Sequence, residues 1–281
     1  MAEASFAHAA EALRQGDRDR YLSTLVLTGA HRDAVTALYA FNADVASIRE
    51  RVSDPAPGEI RLQWWSDALE GEGHGAVRQN PVADALLDTI ERYNIPAGTL
   101  LRLIGARRFD LYDDPMPDLE SFEGYAGETV STLYQLAAMI LNDGETVETG
   151  DAAGHLGVAH AMIGHLRSFG YVSSQGRIVL PWSIMAANGV TEDEIFSGRA
   201  SEALVEALGQ ISDLATEHLG KANSAIAALP SRLRPAFAPI TVLDAQLKLY
   251  LKRSAGPFAV APDEPDWGKI ARLAWWSWRN R

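Results

Sequence analysis

The chain has 281 residues, 47% of them hydrophobic, no cysteine, and a formal charge of −12 from 37 acidic against 25 basic side chains. That length and apolar content allow a full core and exclude intrinsic disorder, while the missing cysteines exclude disulfides, thiolate metal sites and a cysteine nucleophile. The acid excess argues against a broad nucleic-acid surface, because counterion release on phosphate needs clustered Lys and Arg.

The opening MAEASFAHAAEALRQGDRDRY lacks the basic-then-apolar pattern of a signal peptide and the acid-poor, Arg-rich pattern of a transit peptide. No apolar run reaches the ~18 residues of a transmembrane helix, so the sequence predicts a soluble, cytoplasmic protein. Apolar residues recur three and four apart in 19–52, 59–71, 82–94, 97–112, 119–142, 151–170, 201–228, 235–252 and 266–279, which predicts amphipathic helices throughout. Alternating β-branched runs are missing, and the class is all-α. Turns fall at SDPAPG (53–58), YNIPAG (93–98), DDPMP (113–117), LNDGE (141–145) and LPSRLRP (229–235), none long enough to link domains. With no solenoid-period repeat, the prediction is one helical domain over residues 1–281. Two helix starts carry a mechanism: Asn80 before a first-turn Pro81, and Thr191 with Glu194 three residues on as a capping box.

Some residues invite a chemical role. DLYDD (110–114) looks like a metal-binding aspartate cluster, but Pro115 and Pro117 follow directly, so an exposed acidic helix end is expected. His155, His160 and His165 recur every five residues and spread around a helix, which argues against three-His ligation. Ser23, Thr24, Ser168 and Ser173 lack a nucleophile-elbow setting, and the GEG at 71–73 lacks a Rossmann context. Trp64 is expected in the core with part of a terminal cluster, Trp275, Trp276 and Trp278, which lies beside Arg272, Arg279 and Arg281. Adjacent tryptophans on a short helix cannot all face inward, so Trp275, Trp276, Trp278 and Arg279 form a candidate surface for a protein partner or a membrane.

From Asp19 to about Leu133 and from Gly154 to Pro181 the sequence resembles the squalene/phytoene synthase family. The stretches that carry this are RYLSTLVLTGAHRDAVTALYAFN (20–42), GEIRLQWWSDAL (58–69), YAGETVSTLYQLAAMI (125–140), GHLGVAHAMIGHLR (154–167) and QGRIVLP (175–181). The resemblance implies an isoprenoid-synthase helical bundle around a central cavity, in which carboxylates from two facing helices hold Mg²⁺ against a diphosphate. It also implies that the first carboxylates should stand at Ala46, Ser47 and Glu50, and the second pair at Ser168 and Val172; only Glu50 is acidic. The family's Gln and Asn on the same helix fall on Ala161 and Gly164, and Tyr134 stands where the family's small-residue run leaves space. No catalytic residue and no metal ligand is therefore assigned, and no cofactor is expected.

Glu50, Arg61, Tyr125, Arg167 and Arg177 are the candidate ligand- or diphosphate-binding residues. Against that role, the arginines could be architectural, paired with Glu50, Glu59 or Asp67. The pattern YAFNADVASIRERVSDPAPGEIRLQWWSDAL (39–69) and the SWR at 277–279 resemble the branch of the family that includes the mitochondrial complex I assembly factor related to phytoene synthase. The resemblance thus implies a non-catalytic assembly or stability factor for respiratory complex I, with complex I subunits or assembly intermediates as partners and peripheral contact with the inner membrane face. Two alternatives stand beside it: an active prenyltransferase, which would require Mg²⁺, and a protein that binds an isoprenoid or other lipid without converting it.

Overall fold

A computed structural model describes residues 2–73 and 76–280; Arg281 lies outside the described residues. In chain order the helices are α1 (Ala2–Gly16), α2 (Arg18–Thr24), α3 (Gly29–Ala46), α4 (Pro55–Glu70), α5 (Pro81–Tyr93), α6 (Ala97–Arg107) and α7 (Leu119–Ala126), followed by α8 (Thr132–Leu141), α9 (Gly150–Ser174), α10 (Trp182–Ala187), α11 (Glu192–Phe196), α12 (Glu202–Ala228), α13 (Ile240–Lys252) and α14 (Asp266–Arg279). No strand occurs among the described residues, and the fold is all-α as expected.

Local chemistry explains the helix starts. The Asn80 side chain accepts from the Val82 and Ala83 N–H groups ahead of Pro81. Thr191 and Glu194 close a reciprocal capping box. The predicted helix 19–52 is broken in two. The hydroxyls of Ser23 and Thr24 bond back to the Asp19 and Tyr21 carbonyls, and Gly29 adopts φ +55° where the chain re-enters a helix. The predicted helix 119–142 is continuous but passes through a π-helical turn at Gly127–Ser131. Outside the predicted segments the structure adds α1 and α10, while the helix that the Thr191 cap announced is the short α11.

Helices α1 and α5 cover α3, α8 joins α3 to α9, and α12 lies along α9. The core runs continuously through these elements, with Ala9, Leu13, Leu38, Phe41, Leu86, Phe122 and Leu156 fully buried. Gly157 of α9 lets the π turn come close: a Cβ there would lie 2.1 Å from Ser131 Oγ and 2.5 Å from its main-chain nitrogen. Across the other face of α9, Gly170 packs on the Phe258 main chain, and Phe169 meets the Phe258 ring at 5.4 Å. Helix α13 packs on α9 and α12 and supports α14, which also rests on α2.

Candidate functional site

The first motif falls where α3 ends. Ser47 caps that helix and donates to the Asp44 carbonyl, while Glu50 is exposed on the 3₁₀ turn Arg49–Arg51. Asp44 itself is engaged by the Arg51 guanidinium at 2.9 Å and the Trp65 indole N–H at 2.9 Å. On α9, Ser168 donates to the His165 carbonyl at 3.5 Å and Val172 is half-buried. These positions offer alkyl groups, two hydroxyls turned to main-chain carbonyls and one exposed carboxylate, and they do not fit Mg²⁺, which requires several hard oxygen ligands in octahedral array. Among the described residues no group of three or more His, Asp or Glu is arranged to hold a metal ion.

A network of ion pairs ties together α6, α7, the segment after α9 and the turns near them. Arg107 donates to the Tyr125 hydroxyl at 2.7 Å and to Asp110 at 3.1 Å, and the Tyr125 hydroxyl donates to the second Asp110 oxygen at 2.7 Å. Arg177 donates to the Asp110 carbonyl at 3.3 Å and lies 4.0 Å from Asp113, which also accepts from Arg49 at 3.0 Å. Burial works against the charge on Arg107, but Tyr125 and Asp110 hold its pKa above the usual value, and burial drives the Tyr125 phenol well up. His165 packs edge-on against Phe122 at 5.8 Å. Burial lowers its pKa to about 4, with Asp110 opposing the shift and Arg107 and Arg177 adding to it.

Of the five candidate binding residues, the structure brings Tyr125 and Arg177 into this network and leaves the others apart. Arg167 turns to Asp263 at 3.3 Å, Glu50 is exposed, and Arg61 is exposed on α4 with no ion pair among the described residues. The partners differ from those expected as well: Glu59 serves Arg108 and Tyr112, and Asp67 accepts from Gln63. In DLYDD, Asp113 is exposed as expected, but Asp110 is half-buried because Arg107 and Tyr125 draw it inward.

Tyr134 is packed in the interior. It is 2% exposed, stacks on Phe237 at 5.9 Å with 15° between the planes, and hydrogen bonds to His160 Nδ1 at 2.7 Å. Beside it, between α2, α9 and α13, lies a cavity of about 80 Å³ walled by Arg20, Asp19, His160, Arg167 and Gln246. Its charges are matched from within: Arg20 to Asp17 at 2.7 Å, and Asp19 to Lys269 and Gln246 at 2.6 Å each. Pockets for drug-sized ligands run from about 300 Å³ upward, well above this volume.

The squalene/phytoene synthase family model matches residues 13–262. The chain belongs to the squalene/phytoene synthase family. The human NADH dehydrogenase (ubiquinone) complex I, assembly factor 6, is 29% identical over 238 residues, 85% of this chain and 71% of that protein. Chloroplastic phytoene synthase 1 of Arabidopsis thaliana is 26% identical over 191 residues, 65% of this chain and 44% of its own length. A dehydrosqualene synthase crystallised with a ligand superimposes with a TM-score of 0.80 at 18% identity, covering 97% of this chain and 95% of its own. The isoprenoid-synthase fold is therefore present.

Within this squalene/phytoene synthase-family chain, sequence reasoning passed over Arg107, Asp110 as a buried partner, Arg49 and Lys269. Arg107 and Asp110 carry a local signal, since three residues apart on a helical turn they face each other. Lys269 carries none. Its partners Asp19 and Asp263 come from distant parts of the chain, and only the packing of α14 on α2 buries it to 3% exposure.

Proposed function

We propose that the chain is a non-catalytic member of its family that acts as an assembly or stability factor for respiratory complex I, folded as one domain over residues 1–281. The observation that carries this reading is the state of the arginines. Arg49, Arg107, Arg167 and Arg177 each face the chain's own Asp113, Asp110 or Asp263 or the Asp110 carbonyl, which supports an architectural role for them in place of a diphosphate clamp. The Nε atoms of Arg49, Arg107 and Arg167 have no partner among the described residues, and Arg61 is exposed and unpaired there. The degenerate positions Ala46, Ser47, Ser168 and Val172, the buried Tyr134, and the similarity to proteins named as complex I assembly factors support the same reading. Complex I subunits or assembly intermediates would then be the partners, on the cytoplasmic side of the membrane that carries the complex. No helix among the described residues is long and apolar enough to cross a membrane, which agrees with such a position.

A deletion strain tests the proposal. Complex I activity should fall while isoprenoid levels stay intact, and normal complex I in that strain would refute it. Incubating the purified protein with farnesyl or geranylgeranyl diphosphate and Mg²⁺ should give no turnover; clear product would favour the prenyltransferase instead.

A further inference from the structure

Helix α14 has an inner and an outer face. Inward, Lys269 reaches Asp19 and Asp263 at 2.6 Å each, and Leu273 joins a small apolar cluster with Leu22, Ala238 and Val242, against which Trp276 packs. Outward, Trp267, Ile270, Ala274 and Trp278 follow one another at helical spacing along a single stripe. Trp267 is 75% exposed, Trp278 63% and Ile270 41%. Trp275, 60% exposed, borders the stripe and meets the Trp278 ring at 5.2 Å. The exposed Leu25 before α3 continues the apolar surface across a groove of about 250 Å³ that Ile270 and Ala274 also line.

Two observations say what covers this face. Past Asp266 the charged side chains of α14 are Lys269, paired inward with Asp19 and Asp263, Arg272, paired with Glu264, and Arg279, which is the one left unpaired among the described residues. Arg279 is exposed and has no ion pair among the described residues, and with Arg272 and Trp275 it borders a second groove of about 390 Å³. In addition, the indole N–H groups of Trp267, Trp275 and Trp278 have no acceptor among the described residues. A dry protein face would bury those donors unsatisfied, whereas the headgroup layer of a bilayer supplies phosphate and ester oxygens beside apolar chains. We propose that the outer face of α14 is a docking surface for an anionic lipid bilayer, with the tryptophans seated at headgroup depth and Arg279 set against lipid phosphate. This inference deepens the peripheral membrane contact that the complex I reading carries, and vesicle binding can fail while the deletion strain still shows the complex I defect.

The full chain should co-sediment with vesicles of phosphatidylcholine containing phosphatidylglycerol, much less with phosphatidylcholine alone, and less as salt is raised. Arg279→Gln should weaken binding about fivefold. Trp275→Ser with Trp278→Ser should weaken it by about tenfold or more, with an unchanged far-ultraviolet circular dichroism spectrum because both side chains are exposed. Should that double variant fail to fold, brominated phosphatidylglycerol offers a second measure: it should quench the wild-type tryptophan fluorescence. Absence of vesicle binding, equal binding to neutral and anionic vesicles, absence of quenching, or capture of a protein partner on this face without vesicle binding would each overturn the proposal.

Discussion

His165 shows how packing sets the charge of a single residue in this site. It stands one turn before Ser168 on α9, against Phe122 and near Arg107, Asp110 and Arg177, and burial lowers its pKa from about 6.5 to about 4. The folded state therefore holds it neutral, while the unfolded chain takes up a proton first as pH falls. Stability from this group is complete above about pH 6.5 and is lost toward pH 4, by up to about 3 kcal/mol. Denaturant titrations at several pH values should show that loss, and His165→Gln should flatten it. His160, also buried and with its pKa well below the usual value, contributes with the same sign and should persist in that variant. Asp110→Ala should destabilise the fold by about 3 kcal/mol at neutral pH, because it leaves the buried Arg107 without its carboxylate. A melting curve that matched wild type would show that the pair is dispensable. At this scale the resemblance assigns the family's acid positions to Ala46, Ser47, Ser168 and Val172, and the sequence shows directly that none of them is acidic. The carboxylates that pair with Arg49, Arg107 and Arg167 were not readable, because ion-pair partners are chosen by proximity in space.

Among the elements, the helices are legible because their signals are local: a period near 3.6, a proline after Asn80, a glutamate three residues after Thr191. The π turn Gly127–Ser131 leaves no periodic trace, since it is accommodated by packing against α9, and the break at residues 25–28 is marked only by the Ser23 and Thr24 hydroxyls and by Gly29, which periodicity does not register. Gly157 is the clearest example. A side chain there would enter Ser131, so Gly157→Ala should cost about 3 kcal/mol and lower the melting temperature by several degrees. An unchanged melting temperature would mean that the π turn moves freely on α9. The same reasoning explains why the terminal tryptophans could not be sorted from sequence. The helix had to be docked through Lys269, Leu273 and Trp276 before the other side became the outside.

On the scale of the molecule, the fold is that of a dehydrosqualene synthase, while the space beside Tyr134 is small. With a cavity of about 80 Å³ beside Tyr134, the purified protein should carry no prenyl lipid in native mass spectrometry, and a retained lipid would show that the bundle opens. Sequence by itself determined the all-α class and the resemblance to the family, and with it the positions where the resemblance expects carboxylates, because periodicity, capping and motif residues are properties of neighbours along the chain. The tertiary structure decided which carboxylates the arginines pair with, how little space remains beside Tyr134 and which tryptophans face outward. Those depend on contacts between residues far apart in sequence, such as Lys269 with Asp19 or Arg177 with Asp110, whose meeting only the packed bundle brings about.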